Sequence, residues 1–159
     1  MNRVTQFVVA FVVLLSPSPL LAQSELSSEQ AQEVKALVER AAALIDRKGR
    51  FAFDEFRVKG GAWFSGDSYV SVDTIDAVVL CYPPNPALEG TDVMNLKDKA
   101  GKVIHREMQS IAWDKGSGWL TYMWPKPGQA EPSKKWSYIK RVRVGEQDAW
   151  VGSGFYPEE

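Results

Sequence analysis

The fold is decided by three runs near the end of the chain: GWLTYMW at residues 118–124, WSYIKRVRV at 136–144 and AWVGSGFY at 149–156. Each run is rich in β-branched and aromatic residues, which is typical of strands. A Pro- and Gly-containing loop at residues 125–128 joins the first two. Because strands with short links pair antiparallel with their neighbours, we expect the three runs to form a meander.

Two further strands are predicted before this meander. Residues 68–73 alternate in the manner of a half-buried strand, residues 74–76 are typical of a turn, and residues 77–82 form a second apolar run. A helix is predicted after them, because Ile104, Met108, Ile111 and Ala112 fall on one helical face before Gly116. The sheet should therefore have about five strands, with a helix inserted after the second.

A long helix is predicted at the start of the folded domain. Its apolar residues recur at helical spacing: Val34, Leu37, Val38, Ala41, Leu44 and Ile45. Ser27 with Gln30 predicts a capping box at its start, and Gly49 predicts its end. Residues 51–56 indicate a short second helical turn. The predicted fold class is α+β, with the long helix packed on the antiparallel sheet.

Residues 1–22 have the pattern of a secretory signal peptide. Arg3 supplies the positive start, residues 7–15 are apolar, Ser-Pro-Ser-Pro at 16–19 breaks any helix, and Ala22 is a small residue before the expected cut. The alternative is an uncleaved anchor, but this apolar run is much shorter than the roughly 20 residues of a spanning helix. We expect one domain at residues 23–159, located in the periplasm or secreted.

Composition excludes several classes of partner. The formal net charge of −1 offers no basic footprint for nucleic acid or an anionic membrane. Cys81 is the single cysteine, so no intrachain disulfide can form, and its apolar neighbours predict a buried core residue. Export without disulfides is consistent with a bacterial envelope compartment.

The sequence predicts no catalytic group, metal or cofactor. His105 is the only histidine, and we expect it to be a surface or partly buried helix residue. Asp67, Asp73 and Asp76 lack the spacing of a calcium loop and are expected to cap turns. The glycines of residues 152–154 indicate a bulge or a close backbone approach. The chain is therefore not expected to be an enzyme.

An ordered set of motifs over residues 28–156 resembles the single Cache domain family. After the long helix the motifs are Tyr69-Val70-Ser71-Val72-Asp73, Tyr82-Pro83-x-x-Pro86-x-Leu88-x-Gly90, Lys97-Asp98-x-x-Gly101-Lys102, Gly118-Trp119-x-x-Tyr122-x-Trp124-Pro125-x-Pro127, Lys135-x-x-Tyr138-Ile139-Lys140 and Gly152-Ser153-Gly154-x-Tyr156. The resemblance implies an extracytoplasmic PAS-like sensor that binds a small ligand, often a short carboxylate. It also implies that the ligand lies between the sheet and the segments inserted after its second strand.

Two features depart from the family pattern. Tyr82 stands where relatives often have histidine before proline, so any role of that histidine does not carry over. Relatives usually continue into a transmembrane helix and a signalling domain, whereas this sequence stops at Glu159. We therefore expect the domain to relay its signal through a partner, such as a membrane sensor or receptor, without inserting stably in the membrane after cleavage.

The meander offers the parts of a carboxylate pocket. We expect one of its faces to present Tyr122 and Tyr138 to a common cavity, with Lys135 as the cation at the mouth of its strand. The alternative is that the aromatic residues are core and Lys135 is a solvated edge residue. The complete set of predicted ligand-binding residues is Tyr69, Tyr82, Met108, Trp119, Tyr122, Lys135 and Tyr138.

The favoured function is therefore the binding of a small organic ligand, preferentially a short carboxylate, in sensing or signalling. The alternative from another class is a structural or interaction protein of the envelope with a vestigial, filled pocket. A small envelope hydrolase with a hidden carboxylate pair is a third hypothesis.

Export makes a direct prediction about the mature N-terminus. When the full chain is produced in a bacterial host with a secretory pathway, intact-mass spectrometry of the envelope fraction should show a chain beginning at Gln23. A replacement of Ala22 by a bulky residue should retain the precursor. Recovery of a membrane-bound chain that still begins near Met1 would contradict cleavage.

Overall fold

The computed structural model describes Leu26 and residues 28–157. The predicted signal peptide at residues 1–22 and the predicted capping residue Ser27 lie outside these described residues. The long N-terminal helix, α1, spans Glu29–Lys48. Its N-cap is Ser28, whose Oγ accepts a hydrogen bond from the Ala31 N–H at 3.2 Å.

The end of α1 matches the prediction. Gly49 has φ 57° and its N–H donates to the Ile45 carbonyl, a backbone conformation that favours glycine. The remaining elements follow in chain order: a 3₁₀ turn at Gly49–Phe51, α2 at Ala52–Phe56, β1 at Phe64–Ser65, β2 at Ser68–Tyr69, β3 at Ser71–Thr74, β4 at Val79–Cys81, a 3₁₀ turn at Pro86–Leu88, α3 at Ile104–Ser110, a π turn at Ile111–Lys115, β5 at Ser117–Pro125, β6 at Pro132–Val144 and β7 at Gln147–Phe155.

The main sheet has five antiparallel strands in the order β4-β3-β7-β6-β5. Strands β5, β6 and β7 are consecutive neighbours, so the predicted meander is confirmed. The predicted strand at residues 68–73 is divided at Val70. Its first part, β2, pairs with β1 in a separate ribbon, whereas its second part, β3, pairs with β4 and β7.

The sheet is covered on both faces. The apolar side of α1 packs on β6 and β7 and is buried there, as the helical spacing predicts. On the other face lies the insertion, which we define as residues 82–116 between β4 and β5. Its α3 buries Ile104 and Met108 against Leu120, Ile139 and Trp150. The predicted α+β class is confirmed.

Cys81 lies in β4 as a fully buried side chain and forms no disulfide. Burial raises the pKa of its thiol to about 12, so the reactive thiolate is scarce at neutral pH. The interpretation of Cys81 as a core residue is confirmed.

The packing of α1 on the sheet predicts a stability effect. Ile45 is 1% exposed in the core between α1 and the sheet, so Ile45→Ala should lower the free energy of unfolding by about 2–5 kcal/mol through lost burial and a residual cavity. Urea unfolding followed by tryptophan fluorescence measures this change. The exposed Arg40 on the same helix gives a control, since Arg40→Ala should change stability by less than about 0.5 kcal/mol. Equal effects of the two substitutions would contradict the packing described.

Candidate ligand-binding site

A cavity lies between the sheet and the insertion. Its floor comes from β3, β5, β6 and β7, and its cover comes from α3 and from the loop that follows β4. The volume open to the centre of a water molecule is ≈ 50 Å³. The cavity therefore suits a small organic ligand.

Lys135 on β6 is the charged group of this cavity. The residue is only 2% exposed, and its Nζ donates to the Tyr69 hydroxyl at 2.8 Å. The same Nζ lies 4.0 Å from the centre of the Tyr69 ring and 5.2 Å from that of Tyr156, where ring faces attract a cation. Burial lowers the pKa of Lys135 from 10.5 to about 7, although the negative charge of Asp67 opposes this effect.

The hydroxyl of Tyr69 begins a chain of hydrogen bonds. It lies 3.2 Å from the Tyr82 hydroxyl, which also accepts from the Trp124 indole N–H at 2.8 Å. Burial raises the pKa of Tyr69 well above its usual value and raises that of Tyr82 as well. Both phenols are therefore protonated at neutral pH and can act as donors.

A second hydroxyl pair comes from the hairpin of β5 and β6. Tyr122 lies directly opposite Lys135 in the strand register, and its hydroxyl is 3.0 Å from the Ser137 Oγ. Burial also raises the pKa of Tyr122. The hairpin thus places a cation and two hydroxyls on one face of the sheet.

These groups offer more hydrogen-bond donors than acceptors. The Lys135 ammonium has three N–H groups, of which one is directed to Tyr69. Each of the pairs Tyr69–Tyr82 and Tyr122–Ser137 has two hydroxyl hydrogens, and the hydrogen bond within the pair uses only one of them. One hydrogen of each pair is therefore left to donate to another group. In the part of the chain that the structure describes, Lys135 forms no salt bridge. The arrangement is complementary to a small anion.

Gly154 on β7 makes room for the lysine side chain. A Cβ at this position would lie 2.7 Å from the Lys135 Cε, 2.5 Å from the Ser137 Oγ and 2.4 Å from the Trp136 carbonyl oxygen. These distances are shorter than van der Waals contact. The close backbone approach predicted for residues 152–154 is therefore confirmed at Gly154, where only a residue without a side chain fits.

Five of the seven predicted ligand-binding residues line the cavity, and two do not. The five that line it are Tyr69, Tyr82, Met108, Tyr122 and Lys135. Trp119 and Tyr138 lie on the opposite face of the sheet, where their rings pack 5.2 Å apart near α1.

The prediction that Tyr122 and Tyr138 share a cavity was wrong. The register pairs Tyr122 with Lys135 and Trp119 with Tyr138. Because successive residues of a strand point to opposite faces, the even-numbered Tyr138 lies on the face opposite the odd-numbered Lys135. Lys135 itself is buried in the cavity and does not lie at a solvated edge.

Sequence reasoning missed two polar residues of the cavity. Asp73 does not cap a turn but lies buried in β3, and His105 is a buried residue of α3 that lines the cavity. The His105 Nε2 is 3.3 Å from the Asp73 Oδ2. Burial raises the pKa of Asp73, while the histidine opposes this effect. A signal was present in the sequence, since His105 stands beside Ile104 and three residues before Met108 on the apolar side of α3.

Neither a metal site nor a membrane span is found among the described residues. No group of three or more His, Cys, Asp or Glu side chains converges there. No helix within residues 28–157 has the length and apolar character to cross a bilayer.

The fold and the cavity together define a class of protein, the small-molecule sensor domain with a PAS-like sheet. A family model described as Cache domain matches residues 57–159. The chain belongs to the Cache domain family, as its motifs predict. This family is one of sensor domains and not a family of enzymes.

Known proteins with similar sequences or structures agree with this assignment. The methyl-accepting chemotaxis protein McpP of Pseudomonas putida is 31% identical over 97 residues, which make up 60% of this chain but 17% of that protein. A periplasmic sensor domain of a chemotaxis protein superposes with a TM-score of 0.72 at 28% identity, covering 89% of this chain and 100% of the other.

Two further structures have similar folds. A Cache chemosensory domain, described for its recognition of carboxylic acids, superposes with a TM-score of 0.70 at 25% identity and covers 90% of this chain and 100% of its own. A methyl-accepting chemotaxis protein from Vibrio parahaemolyticus gives a TM-score of 0.70 at 20% identity, with 86% of this chain and 95% of the other covered. The last likeness concerns the fold alone.

The buried lysine predicts an unusual dependence of stability on pH. Between about pH 7 and 10.5 the unfolded chain holds a proton on Lys135 that the folded protein lacks. The free energy of unfolding should therefore gain a contribution that rises with pH, by at most about 1.4 kcal/mol per pH unit. Urea unfolding at pH 7, 8 and 9 should show this rise in the unmodified protein and lose it in Lys135→Met.

The control for this measurement is Lys115→Met, at an exposed lysine of the π turn. This variant should keep the pH slope of the unmodified protein. A slope that is unchanged in Lys135→Met would contradict the depressed pKa of Lys135.

Proposed function

We propose that this domain is exported, binds a short carboxylate in the cavity described above, and acts in sensing or signalling through a partner protein. The observation that carries the proposal is Lys135, a buried cation without a salt bridge among the described residues. An ion without a counter-charge costs several kcal/mol to bury. A bound carboxylate would supply the missing charge.

The geometry supports a carboxylate over a neutral ligand. A carboxylate has two oxygens and can accept about four hydrogen bonds, and the Lys135 ammonium and the two hydroxyl pairs have hydrogens to donate. Tyr69, Tyr82, Trp124 and Met108 line the same cavity and contribute aromatic and apolar surface to its walls. Such walls exclude water and so strengthen the charge–charge attraction.

The similar proteins support the same ligand class. The Cache domain at 25% identity is described for carboxylic acid recognition. The small cavity further limits the proposal to short acids with a few carbon atoms. The enclosed space and the unassigned donors argue against the alternative of a vestigial, filled pocket.

The proposed partner is a membrane-bound signalling protein outside this chain or a signalling segment joined to it. The curated relative is a chemotaxis protein, of whose length this chain spans 17%. This similarity in sequence supports a role in a receptor pathway. The identity of the partner is part of the proposal. Location in the periplasm likewise rests on the expected signal peptide together with the periplasmic origin of a similar sensor domain.

Ligand binding can be tested with acids of graded length. Acetate, propionate, pyruvate, lactate and butyrate at millimolar concentration should raise the melting temperature, because binding to the native state stabilises it. Propionamide, which has the shape of propionate without its charge, should have little effect. Calorimetric titration of the best acid should show a loss of at least about tenfold in affinity for Lys135→Met, since a charge-assisted hydrogen bond is removed.

The pH dependence gives the second readout of the same experiment. Free Lys135 loses its proton above about pH 7, so binding of an anion should be accompanied by proton uptake and should weaken as pH rises from 7 to 9. The Lys115→Met variant should bind like the unmodified protein. Absence of binding by every acid, or equal binding of propionate and propionamide, would overturn the proposal.

A further inference from the structure

The cavity has a second polar end, away from Lys135. His105 and Trp150 both line the cavity and are 8% and 3% exposed. Their rings lie 6.1 Å apart between centroids. The His105 Nδ1 and the Trp150 Nε1 are buried and have no hydrogen-bond partner among the residues that the structure describes. A buried polar atom without a partner costs free energy, so each of these two nitrogens is suited to a group that enters the cavity.

The two nitrogens require different hydrogen-bond partners. The Trp150 indole can only donate. When ionised, the Asp73 carboxylate can only accept, so the histidine nitrogen that faces it, Nε2, then carries the hydrogen. In the neutral ring Nδ1 then offers a lone pair. A hydroxyl group fits both requirements, because its oxygen accepts from the indole and its hydrogen is donated to the imidazole.

Other polar groups fit less well. An ammonium group would satisfy His105 and Asp73 but would leave the Trp150 N–H without an acceptor. A second carboxylate would accept from Trp150 but would place its charge beside Asp73. A keto oxygen would leave the lone pair of His105 without a donor.

The spacing along the sheet indicates where on the ligand this hydroxyl lies. Trp150 is opposite Arg141, which lies six residues beyond Lys135 on β6. The side chains of Lys135 and Trp150 nevertheless lean toward each other along the sheet. The Lys135 Cε reaches the level of Gly154, and the Trp150 Cζ3 lies 3.3 Å from the position of a Cβ at Gly152. These two glycines are roughly 7 Å apart along β7, so the lysine stem and the indole ring lie beside different positions of the strand. A hydroxyl on C3 or C4 of an acid reaches farther from the carboxylate than one on C2, as this separation of the two side chains favours.

We propose that the His105–Trp150 end of the cavity is a hydroxyl subsite, so that the domain prefers short carboxylates with a hydroxyl group at C3 or C4. This inference rests on the proposed function, since Lys135 holds the carboxylate. His105 and Trp150 then act as the residues that determine specificity, and Asp73 positions the imidazole.

The test compares ligands that differ at one end only. Calorimetric titration of the purified domain with butyrate, 3-hydroxybutyrate and 4-hydroxybutyrate should show one of the hydroxy acids binding about tenfold more tightly than butyrate. The amino analogue 4-aminobutyrate and the dicarboxylate succinate should bind no better than butyrate. The 2-hydroxy acid should show no such gain.

Matched variants locate the effect. Trp150→Phe keeps an aromatic ring but removes the N–H, so it should reduce the preference for the hydroxy acid over butyrate to about twofold or less. Trp119→Phe makes the same change on the opposite face of the sheet and should keep the full preference. If Trp150→Phe does not fold, the indole N–H resonance of Trp150 in the unmodified protein gives the readout. It should shift with the preferred hydroxy acid and not with butyrate.

The possible outcomes separate the two proposals. Binding of butyrate without any preference for a hydroxy acid overturns the hydroxyl subsite alone and indicates that water occupies it. Tighter binding of 4-aminobutyrate or succinate also overturns the hydroxyl subsite, because this end of the cavity would then recognise a charged group and not a hydroxyl. A lack of binding by all the acids overturns both the subsite and the proposed function.

Discussion

The rest of the site depends on one constraint, a lysine ammonium buried between the sheet and its insertion. Burial disfavours the charge and lowers the pKa of Lys135, whereas the Tyr69 hydroxyl and the adjacent aromatic rings stabilise the ammonium. Gly154 is needed at the neighbouring position because any side chain would occupy the space of the lysine stem. The cavity, its donors and its apolar walls are therefore arranged around one residue.

The two-residue period of the strands separates the aromatic residues into two groups with different roles. Tyr122 lies on the same face of the sheet as Lys135, in the cavity, whereas Trp119 and Tyr138 pack toward α1 on the other face. The abundance of tryptophan and tyrosine thus serves a core and a binding site at once. Composition alone cannot distinguish these uses, but the register of a single hairpin does.

Most of the fold could be predicted from the sequence because local patterns determine it. The apolar spacing of α1, the stop at Gly49 and the consecutive strands of the meander all follow from near neighbours in the chain. The cavity was harder to predict, because Asp73 and His105 are 32 residues apart in the sequence and meet only when α3 folds over β3. The facing of Tyr138 relative to Tyr122 was mistaken because it depends on the register between β5 and β6. Its facing relative to Lys135 follows from their odd separation on one strand.

Strand β6 has a further consequence because it is a single layer of backbone between two environments. Lys135 contacts the cavity on one side, and the next residue, Trp136, belongs to the core beneath α1 on the other. Tyr138 and Lys140 of the same strand reach α1 through Lys35 and Glu39. A molecule bound in the cavity would thus lie on the opposite side of one strand from the long helix. Any shift of β6 would therefore move side chains of the cavity and contacts of α1 together.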